Sequence, residues 1–276
     1  MDIPHGVPAQ TASQVLVIPF NDAAATAYVL ERYQHEIAAL IVEPMLAAGG
    51  GIAPHDGYLH TLRELTREHG VLLIFDEVAT FRLGPLQNTL GIEPDLTALG
   101  KIIGGGLPIG AFGGRQEIMM QFDPGSDNPL YHSGTFCGND VTLAAGVAAL
   151  EHYGDQEVSR LNGLGELLLK SMTAAARDEG VKAAGMGFYG HFHWGEGPLR
   201  NAADVHSRSK NLGMLPALFH LEMLNQGVFM SRRSLFCFST PMSIQHVDAF
   251  LEAFSGTLRM LRPYIAKTHP NLLLSD

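Results

Sequence analysis

The sequence predicts an α/β protein with a mainly parallel sheet in a large first domain and a small α/β domain at the C-terminal end. Residues 71–75 are all apolar and lead into Asp76, a short bounded run that is typical of a strand buried on both faces of a parallel sheet. A second buried strand is predicted over residues 38–45, ending at Glu43-Pro44, and the leucine spacing of residues 58–69 predicts an amphipathic helix between the two strands. A strand, a helix and a strand in this order make a βαβ unit, whose two strands are parallel.

Local patterns predict the remaining elements of the first domain. Valine and isoleucine favour a strand over residues 14–20, and Asn21 or Asp22 can cap the Ala-rich helix that continues to about residue 34. The later elements are a strand over residues 96–99, a glycine-rich turn at 104–106, a strand over 109–113, a short helix over 115–121, an irregular segment over 131–139 and a helix over 140–153.

Gly154 and Asp155 mark the predicted domain boundary, which divides the chain into residues 1–153 and residues 154–276. The second domain is predicted to contain helices over 156–178, 215–225 and 243–261, a strand pair within 183–193, a loose polar segment over 195–210 and short strands at 228–230 and 235–238. Short strands with helices on one side suit a small α/β domain packed on the first.

Composition argues against several functional classes. The net charge of −10 and the lack of any basic block argue against a nucleic-acid or anionic-membrane surface. No apolar run approaches the length of a membrane span, and we expect no signal peptide at the N-terminus. Because Cys137 and Cys237 form no disulfide pattern, we expect a cytoplasmic protein. The 13 histidines have no metal-ligand spacing, so no metal site is predicted.

Two reactive side chains follow predicted buried strands, namely Asp76 and Lys101. Open α/β sheets bind ligands at the carboxyl ends of their strands, where partial desolvation of a lysine favours the neutral, nucleophilic amine. An acid for the pyridine nitrogen and an amine for the aldehyde are the two parts of a pyridoxal phosphate site. The alternative is that Asp76 caps the next turn and Lys101 is a surface lysine. Glu43 ends another predicted strand and is a candidate contributor, whereas Glu77 is expected to be structural.

Longer motifs surround these residues: Ile41-Val42-Glu43-Pro44, residues 73–78 (LIFDEV) and residues 99–114 (LGKIIGGGLPIGAFGG). In this order and spacing they resemble class III aminotransferases, and most closely the glutamate-1-semialdehyde aminomutases. The resemblance implies a pyridoxal-phosphate-dependent transferase of the type I (aspartate aminotransferase-like) fold, with a shortened large domain. It also implies a homodimer whose active site is shared between two subunits.

The resemblance also implies individual roles. Lys101 corresponds to the lysine that binds the cofactor as a Schiff base and then carries a proton between substrate and cofactor. Asp76 corresponds to the acid that faces the pyridine nitrogen, and Val78 to the branched residue that stacks on the ring. Thr135, within the sequence SGTF, corresponds to the threonine that reaches the cofactor phosphate of the neighbouring subunit.

The sequence departs from the family pattern in three places. Family members are longer at the N-terminus, where a Gly-Ser/Thr turn holds the phosphate and an aromatic residue stacks on the ring, and neither is recognisable here. The sequence ATFR follows Val78 where the family usually has TGFR, so this loop is expected to be reshaped. Cys237 stands where many class III enzymes have an arginine for the substrate carboxylate, and Arg232 and Arg233 lie nearby in a different register.

The predicted function is that of a class III aminotransferase. It would move an amino group between an amine or amino acid and an aldehyde or keto acid through Lys101. Two alternatives remain open. One is intramolecular amino transfer of the glutamate-1-semialdehyde 2,1-aminomutase type, and the other is a truncated protein of this fold without full activity.

Overall fold

The computed structural model describes residues 6–186 and 190–275. The strands are β1 (Ala39–Val42), β2 (Leu72–Asp76), β3 (Leu96–Gly100), β4 (Gly110–Gly114), β5 (Ala183–Met186) and β6 (His191–Trp194). The helices are α1 (Ala9–Ala12), α2 (Ala23–Arg32), α3 (Tyr58–Glu68), α4 (Leu86–Leu90), α5 (Gln116–Met119), α6 (Asp140–His152), α7 (Asp155–Asp178), α8 (Ala202–Ser209), α9 (Leu215–Asn225) and α10 (Ile244–Thr268). Within these two ranges, no helix combines the length and the apolar character needed to cross a membrane.

A four-stranded sheet in the order β1-β2-β3-β4 forms the centre of the first half. The first three strands are parallel and β4 joins antiparallel to β3. Since α3 lies between β1 and β2 in the chain, the predicted βαβ unit and the mainly parallel sheet are confirmed. The carboxyl ends of parallel strands meet at one edge of a sheet, so Glu43, Asp76 and Lys101 follow their strands at the same edge.

Strand β2 is buried more completely on one side than on the other. Leu73 and Phe75 are fully buried and share a core with Leu62 of α3. The alternate residues Leu72 and Ile74 are only half-buried. The expectation of a strand buried on both faces is therefore wrong for these residues, because the side that carries them is only partly covered.

Asp95, one residue before β3, ties the sheet to α3 and to the end of β4. Its Oδ2 accepts hydrogen bonds from Arg63 Nη1 (2.9 Å) and from the Leu73 backbone N–H (2.7 Å). Its Oδ1 accepts a bond from Arg115 Nη1 (2.8 Å). Burial alone would raise the pKa of Asp95, but the hydrogen bonds from Arg115, the Leu73 N–H and Arg63 together lower it. The buried carboxylate is therefore held in its charged form.

A second core lies between α7, α9, α10 and the antiparallel pair β5-β6 in the C-terminal half. Its aromatic rings contact one another with centroid distances between 4.9 and 5.9 Å: Phe192, Trp194, Phe219 and Phe254. The predicted strand pair in this region is confirmed. Leu199 belongs to the first core, so the C-terminal half contributes to both cores. The boundary between residues 153 and 154 stays a prediction.

Residues 14–20 are not a strand, contrary to the prediction. Val15, Leu16 and Val17 are exposed, and no strand of the described chain pairs with them. Pro19 lacks the backbone N–H that a sheet ladder requires. High β-propensity therefore did not produce a strand here, because no neighbouring edge supplies the hydrogen bonds.

The segment over residues 195–210, predicted to be loose, contains α8. The Asn201 side chain caps this helix by accepting a hydrogen bond from the Asp204 N–H (3.1 Å). Val205 packs against the first core. A cap and the apolar contacts of Leu199 and Val205 with the first core thus order a segment whose composition is polar.

The end of the chain differs from the prediction in two places. The short strands expected at 228–230 and 235–238 are replaced by irregular backbone, in which Leu235 forms an isolated bridge with His191. Helix α10 continues to Thr268, beyond the predicted end, because its buried side continues through Ile265.

Candidate active site

Three polar side chains meet at the carboxyl edge of the parallel strands. Glu43 follows β1 by one residue, Asp76 is the last residue of β2 and Lys101 follows β3 directly. In the register of the sheet, Asp76 lies opposite Ala98, and Ala98 precedes Lys101 by three residues in the chain. The charges of Asp76 and Lys101 both act on the Glu43 carboxyl group. The structure therefore brings the predicted acid and the predicted lysine to the same edge of the sheet. We call the position of Glu43, Asp76 and Lys101 at this edge the corner.

Lys101 has an unusual backbone conformation. Its φ is +50°, and the other non-glycine residues with positive φ in the described ranges are Asn21 and Ser234. A left-handed non-glycine residue costs on the order of 1–3 kcal/mol and persists only where its surroundings hold it. Lys101 is exposed, so the predicted desolvation is wrong, because burial ends at Gly100.

Residues Lys101–Gly104 form one turn of 3-10 helix, hereafter the lysine turn, which contacts α6 through its backbone. A Cβ atom on Gly146 of α6 would collide with the carbonyl oxygen of Ile103. A Cβ atom on Gly105, whose φ is +59°, would collide with the carbonyl oxygen of Ala145. Both positions therefore need glycine, and α6 lies directly on the turn that carries Lys101.

Asp76 is half-buried, and its Oδ1 accepts a hydrogen bond from the Val78 N–H (3.1 Å). Among the described residues, no donor contacts its Oδ2. Val78 is half-buried as well, and a Cβ atom on Gly100 would lie 3.2 Å from its Cγ1. Val78 thus packs at the strand end just before Lys101. One carboxylate oxygen closes a local turn, and the other is available to a ligand.

Glu77 is buried and structural, in agreement with the expectation. Its carboxylate accepts hydrogen bonds from the backbone N–H groups of Leu86 and Gln87 (3.1 Å each) and from the Thr80 hydroxyl (3.4 Å). Burial raises the pKa of Glu77, although these hydrogen bonds oppose the shift. The residue therefore holds the beginning of α4.

Glu43 is the third acidic group at this corner. Burial raises the pKa of Glu43, and the negative charge of Asp76 adds to this effect. A hydrogen bond from the Ala47 N–H to Oε2 (3.2 Å) and the positive charge of Lys101 act in the opposite direction. The protonation of Glu43 therefore depends on its burial, on the charges of Asp76 and Lys101, and on the hydrogen bond from Ala47.

Thr135 lies away from buried structure. Every residue over 124–141 is exposed, and no described side chain hydrogen-bonds to the Thr135 hydroxyl. The role of Thr135 at the cofactor phosphate of a neighbouring subunit stays a prediction.

Two histidines near the corner were missed by the sequence reasoning. His191 Nε2 lies 2.8 Å from the carbonyl oxygen of Ala47, and His193 Nε2 lies 2.8 Å from that of Gly50. The alternation His-Phe-His-Trp in a predicted strand could have indicated that both rings share one face. Their partners could not be inferred, because they lie more than a hundred residues away in sequence.

A cavity of about 410 Å³ lies beside these histidines, between residues 48–50 and the C-terminal half. Arg232 and Arg233, both exposed, are part of its lining. Cys237 is an exposed free thiol. The arginine pair, and not Cys237, is therefore on the wall of this cavity.

Comparison with known protein families shows the family of the chain. The family model described as aminotransferase class-III matches residues 6–224. The chain belongs to the class III aminotransferases. This family depends on pyridoxal phosphate, and one structural neighbour, a transaminase with bound PLP, has a TM-score of 0.82 at 30% identity.

Relatives of this class III chain include transaminases and an aminomutase. The β-phenylalanine transaminase of Variovorax paradoxus is 39% identical over 246 residues, which cover 87% of this chain and 56% of that protein. The glutamate-1-semialdehyde 2,1-aminomutase of Haloquadratum walsbyi is 46% identical over 187 residues, or 66% of this chain and 42% of that protein. The chain thus spans about half the length of these relatives.

The predicted fold is confirmed by a solved relative. The ω-transaminase from Sphaerobacter thermophilus superimposes with a TM-score of 0.87 at 37% identity, covering 94% of this chain and 60% of that chain. The type I fold predicted from the class III motifs therefore agrees with the structure.

Proposed function

We propose that this chain is part of a pyridoxal-phosphate-dependent aminotransferase, which moves an amino group between an amine or amino acid and an aldehyde or keto acid. The observation that carries the proposal is the strained Lys101 directly after β3, at the same sheet edge as Asp76. Strain of this kind clusters at active sites, where the surrounding structure maintains it. The transaminases among the relatives support the same activity.

The residues at the corner suit the chemistry of the cofactor. Pyridoxal phosphate, when bound, supplies an aldehyde and an electron-withdrawing ring. Lys101 would bind the aldehyde through Nζ and, once free again, would carry a proton to and from the substrate carbon. Asp76 would keep a proton on the pyridine nitrogen through Oδ2, and Val78 would pack against the ring. An amine, a carboxylate and an apolar side chain at one corner therefore fit this group.

The first test of the proposal is capture of the cofactor. The purified protein is incubated with pyridoxal phosphate, reduced with borohydride, digested and analysed by mass spectrometry. We expect the cofactor mass on the peptide that contains Lys101, together with amine-dependent conversion of pyruvate to alanine. A modified peptide elsewhere and no alanine would contradict the proposal.

Replacing Asp76 with asparagine is expected to weaken pyridoxal phosphate binding at least about tenfold, since a charge-assisted hydrogen bond is lost. Asparagine keeps an oxygen for the Val78 N–H, so the local turn is preserved. Binding is measured by absorbance titration. The control is Asp123→Asn, because Asp123 accepts the Gly125 N–H (2.8 Å) in the same geometry on an exposed loop. Equal affinities of the two variants would refute the role of Asp76.

A second candidate function is intramolecular amino transfer. It is favoured by the 46% identity to the aminomutase of Haloquadratum walsbyi over 187 residues. A strict mutase converts one substrate without a separate amino acceptor. Isomerisation of glutamate-1-semialdehyde without any alanine formation from pyruvate and an amine would select this alternative. The third alternative, a truncated protein without full activity, predicts no cofactor capture at Lys101.

The proposal includes a homodimer, because the chain has an exposed apolar surface. We call the exposed apolar stripe of α6 and the segment before it the α6 surface, which is defined by the following residues: Tyr131, Phe136, Leu143, Val147 and Leu150. Tyr131 is 91% exposed and Phe136 83% exposed. Large exposed apolar patches mark interaction sites. A second copy on this surface would also bring Thr135 towards the cofactor phosphate of its partner.

Replacing Val147 with aspartate is expected to weaken dimerisation at least about tenfold, because a charge would be buried in the apolar contact. Sedimentation velocity at several concentrations measures the dissociation constant. The matched control is Leu221→Asp, since Leu221 is a 51% exposed apolar residue on α9. The dimer hypothesis fails if the unmodified protein sediments as a monomer or if both variants behave alike.

The cytoplasmic location stays a prediction. It depends on the two cysteines, and Cys137 and Cys237 are both free and exposed. A reducing compartment keeps such thiols unpaired. Fractionation of cells that express the protein tests this expectation.

A further inference from the structure

A closed ring of hydrogen bonds joins the ends of β2 and β3, hereafter the Glu77 ring (Glu77, Gln87, Thr97 and Ala98). The Gln87 N–H donates to Glu77 Oε1 at 3.1 Å. The Thr97 hydroxyl donates to Gln87 Oε1 at 2.7 Å. Ala98 follows Thr97 in β3, and its carbonyl oxygen accepts the Glu77 N–H at 2.9 Å. The ring thus ties the loop after β2 to the neighbouring strand.

Glu77 makes more of these bonds than any other member of the ring. It is 1% exposed, and its Oε2 accepts the Leu86 N–H at 3.1 Å and the Thr80 hydroxyl at 3.4 Å. Its carbonyl oxygen accepts the Phe81 N–H at 3.0 Å. Backbone N–H groups that lose their acceptor away from water are costly. The carboxylate therefore keeps the loop over residues 77–87 in one arrangement.

Glu77 lies between the two residues that are proposed to contact the cofactor ring. The Val78 N–H donates to Asp76 Oδ1 at 3.1 Å, so this bond spans Glu77. In the sheet, Asp76 lies opposite Ala98, the residue that accepts the Glu77 N–H. A Cβ atom on Gly100, the last residue of β3, would lie 3.2 Å from Val78 Cγ1. The directions of both side chains therefore depend on the backbone that the ring holds.

We propose that Glu77 is a positioning residue, which holds the Asp76 carboxylate and the Val78 side chain in the orientation that binds pyridoxal phosphate. The inference rests on the proposed function, because Asp76 and Val78 contact the cofactor there. Glu77 acts through its two neighbours in the chain, since both of its carboxylate oxygens are occupied by donors from the loop.

Replacing Glu77 with glutamine tests this role. Glutamine keeps the size of the side chain but has one acceptor oxygen where two accept now, so either the Leu86 or the Gln87 N–H loses its partner. We expect the affinity for pyridoxal phosphate to fall about tenfold, because small displacements of positioned groups have large effects. Absorbance titration measures the affinity. Hydrogen exchange of the cofactor-free protein should become faster over residues 77–87.

A double variant separates positioning from general destabilisation. If Glu77 acts mainly through Asp76, then Glu77→Gln should weaken binding less than about threefold in the Asp76→Asn background. A general loss of stability would weaken binding by the same factor in both backgrounds. The matched control is Asp95→Asn, since Asp95 is another buried carboxylate that accepts a backbone N–H, from Leu73. It should lower the thermal stability, and its effect on affinity should be equal with and without the Asp76 carboxylate.

Thr97 offers a milder test, which replaces the first should Glu77→Gln fail to fold. Thr97→Val removes the hydroxyl that Gln87 accepts and keeps the shape of the side chain. The affinity should fall about threefold, because one bond of the ring is lost. Thr97→Ser keeps the hydroxyl and should retain the affinity of the unmodified protein.

The inference is overturned if Glu77→Gln binds pyridoxal phosphate as tightly as the unmodified protein, or if its loss of affinity is the same in the Asp76→Asn background. Where only the Thr97 variants fold, equal affinities of Thr97→Val and Thr97→Ser overturn it. The proposed function fails on a different observation, namely that the unmodified protein binds no pyridoxal phosphate.

Discussion

Replacing Lys101 with alanine is expected to abolish covalent capture of pyridoxal phosphate and to lower aminotransferase activity by at least about a thousandfold, since the nucleophile and proton carrier are lost together. Alanine keeps a Cβ atom, so the left-handed backbone at φ +50° is no less strained than before. Borohydride reduction with peptide mapping measures capture, and alanine formation from pyruvate measures activity. Circular dichroism confirms that the variant is folded.

Two further lysine variants define what the Lys101 experiment shows. Lys101→Arg retains a positive charge but no nucleophilic amine, so it should be as inactive as alanine. Lys182→Ala removes a lysine from the C-terminal half and should keep full activity. A Lys101→Ala protein that still forms a borohydride-stable adduct would place the reacting amine elsewhere in the chain.

Replacing Asp95 with alanine is expected to lower the free energy of unfolding by about 3–5 kcal/mol, because the buried charge of Arg63 loses its partner. The Leu73 N–H, which donates to Asp95 over 2.7 Å, would also lose its acceptor in the middle of β2. Urea unfolding followed by circular dichroism gives the difference. The matched control is Glu117→Ala, which removes an exposed partner of Arg115 and should change the free energy of unfolding much less than Asp95→Ala.

The same carboxylate predicts a pH dependence. The pKa of Asp95 is lowered in the folded protein, so its stabilisation is present above the unfolded value of about 3.9 and is lost as the pH falls through the folded value. The stability difference between the unmodified protein and Asp95→Ala should therefore be constant near neutral pH and shrink below about pH 4. A difference that stays constant down to pH 2 would contradict the assignment.

The sequence was sufficient to predict the elements that carry the corner. Strand β2 ends at Asp76 as predicted, because a short apolar run that is followed by two acidic residues is typical of a buried strand that ends there. Asp22 caps α2 through the Ala25 N–H (2.8 Å), which a single residue type at a helix start predicts. The meeting of Asp76 and Lys101 followed from parallel strands and needed no knowledge of side-chain contacts.

The remaining parts depend on contacts between distant segments. Lys101 is exposed and has a positive φ because β3 ends before it and α6 packs against the lysine turn. Neither feature can be inferred from the local amino-acid composition. The strand predicted over residues 14–20 did not form, because its valines find no partner edge. The contact of His191 with Ala47 spans 144 positions, which no periodicity reveals.

The glycine contact between α6 and the lysine turn has a mechanical consequence. No side chain lies between Gly146 and the backbone of Ile103. A movement of the helix towards the turn therefore displaces the backbone two residues from Lys101. Leu143 and Leu150, which neighbour Gly146 on the same helix, belong to the surface proposed for subunit contact. If the proposed dimer forms through the α6 surface, a ligand whose reversible binding at Lys101 displaces the lysine turn changes the affinity of one subunit for the other, and dimerisation changes the affinity for that ligand by the same factor.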